Sequence, residues 1–238
     1  MRITTDLHTH TQHSHGTGTV EDNVRAAIAL GLKQIAITDH GVGHLAYGVR
    51  DVERYLKDID NAKQKFAGSI TVKSGIELNL LNTDGELDLP RGYEKSFDLL
   101  LFGFHKFARF TGFGNMLRMF LPKSTSDRAV FKNTQGYLFA LRQYPIDIVT
   151  HVGYGLPCDI PTVAQCAAEH QTMIEINAKH PEFTVDELNK SAQSGVMFCL
   201  NSDAHSPERV GDIAASIQKA QEAGLSVSRI YGAEEEPV

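Results

Sequence analysis

Short apolar runs alternate along this chain with longer stretches in which apolar residues recur at helical spacing. The runs at 3–8, 34–38, 70–76, 98–104, 146–151, 173–177 and 196–201 predict strands. Runs such as Ile35-Ala36-Ile37 contain β-branched residues and no charge, which is typical of strands that are buried on both faces of a parallel sheet.

The stretches between these runs predict helices at 20–31, 51–66, 161–170, 184–194 and 207–223. Gly31, Gly195 and Gly224 stand where helices would end, a position typical of glycine. Pro161 and Pro207 stand at predicted helix starts, where proline is tolerated. Because strands and helices alternate without a glycine-rich nucleotide-binding motif, we predict an α/β barrel rather than a doubly wound sheet.

Residues 106–133 interrupt this alternation. They combine phenylalanines and methionines with basic residues, and their only acidic residue is Asp127. Because a long stretch without a clear strand is often a functional loop or lid, we predict a substrate-facing insertion. Its candidate cationic donors to phosphate are Arg109, Arg118, Lys123 and Arg128. In the alternative interpretation the apolar side chains pack against the barrel and the charges are merely solvated.

Composition narrows the possible functions. With 238 residues, of which 42% are hydrophobic, we expect one domain that spans residues 1–238. A net charge of −6 argues against a dedicated binder of long nucleic acids but does not exclude a phosphorylated substrate. We find neither an apolar stretch of about 20 residues nor a signal-peptide pattern, and therefore expect a cytoplasmic protein away from membranes. The three cysteines lack CxxC spacing, which argues against a disulfide framework.

Residue types that bind metal ions follow nearly every predicted strand. They are His8, His10, His15, His40, Glu77, His105, His151, Asp203 and His205. Because the carboxyl ends of parallel strands meet on one face of a barrel, we expect these residues to form one cluster. A zinc site uses about four ligands, so nine residues suit two or three ions. Glu77 can bridge two of those ions because a carboxylate has two oxygens.

Six motifs carry a family resemblance. They are Asp6-Leu7-His8-Thr9-His10, Thr38-Asp39-His40-Gly41, Gly75-Ile76-Glu77, Gly103-Phe104-His105, Thr150-His151 and Ser202-Asp203-Ala204-His205. In this order they resemble the motifs of the PHP (polymerase and histidinol phosphatase) superfamily, and especially its stand-alone bacterial phosphatases. The resemblance implies a distorted (β/α)₇ barrel with three divalent ions, usually zinc, manganese or iron, at the carboxyl ends of the strands.

The resemblance also implies how the ligands divide among the ions. One ion would be held by His8, His10 and Asp203, with Glu77 shared. A second ion would use His15, His40 and His205. The third would use Glu77, His105 and His151. The loop 11–16 also contains His13, so an exchange of His13 for His15 as the ligand stays open.

Clustered divalent ions lower the pKa of bound water and neutralise the charge that develops on a phosphoryl group. We therefore predict hydrolysis of a phosphomonoester, with a metal-bridging hydroxide as the nucleophile and Glu77 as the carboxylate ligand that two ions share. The leaving group would be protonated by Asp203, His205 or a metal-bound water. The resemblance implies a small phosphorylated metabolite such as histidinol phosphate as the substrate. Further candidate substrate contacts are His44, Asn177 and His180.

Other functions remain open on the sequence alone. A nuclease or nucleotidase would act on short oligonucleotides or nucleotides, since the aromatic and basic residues of 106–133 could stack bases and bind a backbone. A metal- or phosphate-binding regulatory protein is the non-enzymatic alternative. Asp6 and Asp39 adjoin ligand histidines, and each either orients an imidazole or accepts hydrogen bonds from the backbone. The sequence does not determine the oligomeric state.

Overall fold

Parallel strands form the central sheet of this protein. The structure is a computed structural model that describes residues 1–109, 124–180 and 183–235. The strands are β1 (Arg2–Ile3), β2 (Thr5–Asp6), β3 (Gln34–Ile37), β4 (Thr71–Asn79), β5 (Leu99–Gly103), β6 (Ile148–Val149), β7 (Met173–Asn177), β8 (Phe198–Asn201) and β9 (Ala233–Glu234). Strands β2 to β8 form a seven-stranded parallel sheet in chain order. The short strand β1 pairs antiparallel with β9.

Helices follow most of the strands. They are α1 (Val20–Ala29), α2 (Val52–Lys65), α3 (Asp127–Gln143), α4 (Ile160–Glu169), α5 (Val185–Ala192) and α6 (Ala214–Glu222), with short 3₁₀ helices at Pro207–Arg209 and Val227–Arg229. Local sequence explains where several begin, because Thr19 and Thr184 each form a capping box with the acidic residue three positions later. No helix among these described segments is both long and apolar enough to cross a bilayer.

The two ends of the parallel sheet meet. Thr9, after β2, forms a parallel bridge with Ala204, after β8. The backbone N–H of His10 donates to the Ala204 carbonyl at 2.8 Å, and the Leu7 N–H donates to Asn201 Oδ1 at 2.9 Å. The sheet therefore closes into the distorted (β/α)₇ barrel that the sequence predicted.

The strands are buried on both faces, as their apolar sequences predict. Ala36, Leu101 and Cys199 belong to a small cluster formed by alternate strand positions. Their neighbours Ile35 and Phe102 pack instead in larger clusters that include helix residues. This period of two follows from the strand geometry and places one set of side chains toward the barrel interior and the other toward the helices.

Two predicted segments differ from the structure. The predicted helix 207–223 is interrupted by Gly211, which has a φ of 73° and whose N–H donates to Asp6 Oδ2 at 2.8 Å. A left-handed residue ends a right-handed helix, so a 3₁₀ turn precedes α6. The predicted strand 3–8 also divides, because Thr4 donates its N–H to Gly232 and the chain then leaves β1 for β2.

The segment 106–133 is a loop only in part. Residues 127–133 are the first turns of α3, so the predicted loop is wrong there. The Ser126 side chain caps this helix by accepting from the Ala129 N–H, and Tyr137 and Leu141 on its inner face are fully buried. The sequence interpretation missed this helix because basic and aromatic residues mask its period. Residues 110–123 lie outside the described residues.

Candidate metal centre

Glu77 lies at the centre of the histidine cluster. It is part of β4, and its side chain is fully buried. Its Oε1 atom lies 3.3 Å from His8 Nε2, 3.3 Å from His105 Nε2 and 2.9 Å from His151 Nε2. The Thr150 hydroxyl donates to the same oxygen at 2.8 Å. One oxygen of Glu77 thus faces histidines from three different strand ends.

The other oxygen of Glu77 faces a different pair of histidines. Oε2 lies 2.9 Å from His40 Nδ1 and 3.6 Å from His10 Nε2. A carboxylate whose two oxygens face separate sets of nitrogens has the arrangement that a bridge between two cations needs.

Asp203 lies on another side of this cluster. Its Oδ1 lies 3.2 Å from His10 Nε2, 3.8 Å from His8 Nε2 and 3.4 Å from His205 Nδ1. Asp203 and His151 have φ angles of 51° and 28°, which are unfavourable for residues other than glycine. Such strain costs about 1–3 kcal/mol per residue and concentrates at functional sites.

The structure distinguishes His15 from His13. The His15 ring lies 4.1 Å from the His205 ring and 4.9 Å from the His40 ring, centroid to centroid. His13 instead places its Nε2 3.1 Å from Asp58 Oδ2. All nine predicted ligand residues therefore come together, and His13 does not join them.

Three trios in this cluster have ligand atoms within 4.8 Å of one another: His8, His10 and Asp203; His10, His40 and His205; and His40, Glu77 and His105. The first trio is the one implied by the family resemblance. In the second, His10 stands in the place expected for His15. In the third, His40 stands in the place expected for His151. The division of ligands among ions stays a prediction.

The donor set suits divalent metal ions. Several buried polar atoms of the described cluster lack hydrogen-bond partners: Nδ1 of His10, His15, His105 and His151. His40 Nδ1 and Glu77 Oε2 lie 2.9 Å apart and have no other hydrogen-bond partner among the described residues. Leaving a buried polar atom without a partner costs about 1–3 kcal/mol, so a site with many such atoms is built to receive a ligand. Imidazole nitrogens with carboxylate oxygens suit zinc, manganese and iron.

Burial keeps several of these imidazoles neutral. It lowers the pKa of His10 to about 3, with a further contribution from His205, and it lowers the pKa of His15 to about 4. The pKa of His40 is also held well below its usual range by burial and by His10. Because only a neutral imidazole has a lone pair for a metal ion, these three are available as ligands at neutral pH.

The two carboxylates are held in their ionised form. Burial opposes the charge of Glu77, but His105 and His8 outweigh it and hold its pKa well below the usual value. Burial likewise opposes the charge of Asp203, and His8 and His10 lower its pKa. The centre therefore places two anionic carboxylates beside the neutral imidazoles of His10, His15 and His40, which favours the binding of cations.

Sequence reasoning missed Glu175, which supports the cluster from β7. This buried carboxylate accepts from His8 Nδ1 at 2.8 Å and from the His151 N–H at 2.9 Å. The amides of Asn177 and Asn201 also donate to it, at 2.8 and 2.9 Å. The signal in the sequence was a single charge inside the apolar run Ile174-Glu175-Ile176.

Asp6 and Asp39 hold loops rather than imidazoles. Asp6 accepts from the N–H of Ser202 at 3.1 Å, from the Ser202 hydroxyl and from the Gly211 N–H. Asp39 accepts from the Thr11 N–H and hydroxyl, both at 2.7 Å, and from the Ser14 hydroxyl. Each aspartate thereby ties a loop that carries predicted ligands to a neighbouring strand end.

A cavity of about 390 Å³ opens over the cluster. Its lining includes the predicted substrate contacts His44 and His180. It also includes residues that were not predicted as contacts, among them Tyr47, Lys106, Tyr154 and Lys179. The ring of His180 stacks on Tyr154 at 3.8 Å. The ring of His44 stacks on that of His40 at 5.0 Å. The lining therefore combines aromatic surfaces with two ammonium groups.

The remaining predicted substrate contacts lie elsewhere. Asn177 is buried beneath the cavity and holds Glu175. Arg109 is exposed and is not part of the cavity lining, and the same is true of Arg128 on the first turn of α3. Arg118 and Lys123 lie outside the described residues. The assignment of these side chains as substrate contacts stays a prediction.

Known proteins resemble this chain over most of its length. The family model described as PHP domain matches residues 6–184. A probable phosphatase of Aeromonas hydrophila is 29% identical over an alignment that covers 97% of this chain and 89% of the relative. A probable phosphatase of Thermoanaerobacter sp. strain X514 is also 29% identical, over 95% of this chain and 89% of the relative.

Two solved structures share the fold. Histidinol phosphate phosphatase of Lactococcus lactis, solved with zinc, L-histidinol and phosphate, superposes with a TM-score of 0.68 at 17% identity and covers 94% of each chain. A putative histidinol phosphatase of Listeria monocytogenes superposes with a TM-score of 0.62 at 15% identity, over 87% of this chain and 97% of that one. At these identities the likeness supports the barrel architecture.

Proposed function

This chain belongs to the PHP domain family and is a metal-dependent phosphoesterase, and we propose that it hydrolyses the monoester of a small phosphorylated metabolite. A histidinol-phosphate-like compound, with a small organic leaving group, is the substrate class we propose. We further propose three divalent ions, of zinc, manganese or iron, as its cofactor.

The arrangement around Glu77 supports this proposal most directly. Its two oxygens face His8, His105 and His151 on one side and His10 and His40 on the other. Divalent ions held by such a centre would supply an activated water as nucleophile and would neutralise charge on the phosphoryl oxygens.

The protein's own residues orient this centre. The Thr150 hydroxyl donates to the Glu77 carboxylate, which is buried among the imidazoles. Glu175 accepts from His8 Nδ1, so Nδ1 carries a proton and Nε2 is the atom that faces Glu77 and would bind a cation. The centre is therefore organised before substrate arrives.

The proposed proton donor to the leaving group is Asp203, His205 or a metal-bound water. Because Asp203 is ionised and the pKa of His205 is lowered by burial, either residue would first take a proton from the attacking water and then pass it to the leaving group. Both line the cavity, and His205 Nδ1 lies 2.8 Å from the backbone oxygen of Asp203. Because a carbonyl oxygen only accepts, Nδ1 carries the proton in this bond and Nε2 presents its lone pair. A cavity of about 390 Å³ is within the range of sites for small ligands, which favours a metabolite over a long nucleic acid.

The decisive experiment measures turnover of p-nitrophenyl phosphate on protein whose metal content has been quantified. We expect turnover with added Mn²⁺ or Zn²⁺, and a loss of at least about 100-fold in His8→Ala and Glu77→Ala, since each removes a cluster ligand. His170→Ala is the matched control, because that exposed histidine ends α4 away from the cavity. Full activity in both cluster variants would contradict the metal mechanism.

The same metal-quantified protein can be used to distinguish a phosphatase from a nuclease and from a regulatory binding protein. A panel of phosphorylated metabolites and short oligonucleotides would reveal a nuclease through release of mononucleotides in preference to phosphate. A regulatory phosphate- or metal-binding protein would bind its ligand without turnover of any member of the panel.

A further inference from the structure

The loop after β7 is held in place by one buried amide. Asn177 Oδ1 accepts from the backbone N–H of Lys179 and from that of His180, both at 2.9 Å. The Asn177 amide nitrogen donates to Glu175 at 2.8 Å and lies 3.4 Å from Asp203 Oδ2. This loop is therefore connected directly to the carboxylates of the metal centre, and its position depends on theirs.

Lys179 extends from this loop to the edge of the centre. Its Nζ lies 3.7 Å from Asp203 Oδ2, 3.4 Å from His205 Nε2 and 3.1 Å from His205 Nδ1. The side chain lines the cavity and is 39% exposed. Its ammonium group can therefore reach a molecule in the cavity while remaining beside the metal-binding cluster.

The Lys179 ammonium keeps donors free for a second anion, because Asp203 Oδ2 lies 3.7 Å away, beyond hydrogen-bond distance, and His205 Nδ1 already donates to the Asp203 carbonyl. His205 Nε2 is the atom that presents a lone pair, so a cation held there and the Lys179 ammonium would repel each other. An anionic oxygen that contacts both positive groups removes this repulsion. The oxygen that fits is one of a phosphoryl group bound to the centre, because charge-assisted hydrogen bonds to phosphate are strong.

The number of free oxygens distinguishes phosphate esters. A monoester has three unesterified phosphoryl oxygens and carries a charge of about −1.5 to −2 at neutral pH. A diester has only two such oxygens and a single negative charge. A lysine that contacts the third oxygen would therefore lose its partner when that oxygen bears a second ester group.

We propose that Lys179 binds the third unesterified oxygen of the substrate and makes the enzyme selective for phosphomonoesters over phosphodiesters. This inference rests on the proposed phosphatase function and adds a specificity-determining residue to it. Of the described residues that line the cavity, only Lys106 and Lys179 are lysines or arginines, and Lys179 is the one in contact with Asp203 and His205.

The test compares p-nitrophenyl phosphate with methyl p-nitrophenyl phosphate, which share a leaving group and differ by one methyl ester. Lys179→Met removes the ammonium and keeps an unbranched side chain. We expect kcat/KM for the monoester to fall about tenfold or more, the loss typical of a charged hydrogen bond, and that for the diester to fall less than about threefold. Lys179→Arg should restore most of the preference for the monoester.

Binding of inorganic phosphate gives a readout that does not depend on turnover. Isothermal titration of metal-loaded protein should show a Kd for phosphate that rises about tenfold in Lys179→Met and remains near the wild-type value in Lys190→Met. Lys190 is the matched control because it lies on α5 and pairs with Asp186 at the surface. Metal content should be equal in all variants.

The outcomes separate the two proposals. A wild-type protein that does not hydrolyse the monoester contradicts the phosphatase function itself. Equal losses for both esters, an unchanged Kd for phosphate, or a lower metal content in Lys179→Met would each overturn the role of Lys179 and leave the phosphatase function standing. If diester turnover is below detection in every variant, the Kd for phosphate decides.

Discussion

Glu175 Oε1 lies 2.8 Å from His8 Nδ1, and both side chains are fully buried. The carboxylate can only accept, so His8 donates from Nδ1 and turns its Nε2 toward Glu77 and Asp203. Burial opposes a charge on His8, yet Glu77 and Glu175 outweigh it and raise the pKa of His8 well above its usual value. Glu175 therefore orients His8 and, together with Glu77, raises its basicity.

Replacing Glu175 with glutamine should weaken metal binding while leaving the side-chain volume almost unchanged. The new amide NH₂ would meet one of the donors that now face the carboxylate, which come from His8, His151, Asn177 and Asn201. We expect metal affinity to fall about 10- to 100-fold, as measured by competition with a chelator. Glu169→Gln, at an exposed position on α4, should bind metal as the wild type does. Equal affinities in the two variants would contradict this role.

Thr150→Val tests the support of the central carboxylate. Valine has the shape of threonine but cannot donate the 2.8 Å hydrogen bond to Glu77 Oε1. We expect a loss of about 1 kcal/mol in the free energy of unfolding and a fall of about tenfold in kcat. Thr71→Val, at the exposed start of β4, is the control. Urea denaturation and initial rates measure both effects, and wild-type values in Thr150→Val would exclude the hydroxyl from a functional role.

Asp88→Asn tests the anchor of the loop that carries His44. The Asp88 carboxylate accepts from the Gly43 N–H and from the N–H and side-chain amide of Asn79, each at 2.6 Å. An asparagine amide would place a donor against one of these donors. We expect the free energy of unfolding to fall by about 1–3 kcal/mol and KM to rise. The exposed change Asp84→Asn should stay within about 0.5 kcal/mol of the wild type.

The cysteines should be inert toward alkylation at pH 8. Burial, with Asp159 and Glu187, raises the pKa of Cys158 to about 12, and burial also raises the pKa values of Cys166 and Cys199. A raised pKa leaves the thiolate scarce until the pH approaches that value, and at pH 8 only about one Cys158 in ten thousand is ionised. Native protein treated with iodoacetamide should keep its activity and its mass.

Unfolded protein supplies the control for this experiment, since denaturation should expose three reactive thiols. Rapid inactivation of the native protein, together with addition of a single label, would point to a thiol nucleophile instead of the metal centre.

The amino-acid pattern alone was enough to predict the strand–helix alternation and to select the candidate metal ligands. Apolar runs such as the one around Ile35 mark strands buried on both faces, and His8 with His10 marks a strand end. These are local signals, because strand periodicity and the residue types that bind metal can be read within a few positions. The helix Asp127–Gln143 was missed because its basic and aromatic residues obscure the same local period.

Distances between distant parts of the chain were decided only by the tertiary structure. Closure of the barrel brings Asp203 to within 3.2 Å of His10, and it turns His15 inward while His13 pairs with Asp58. It also places Glu175 behind His8 and extends Lys179 to the cavity edge. No local pattern encodes these contacts, because they depend on how the seven parallel strands tilt and close. The sequence by itself thus determined which chemical groups are present, and packing decided which of them act together.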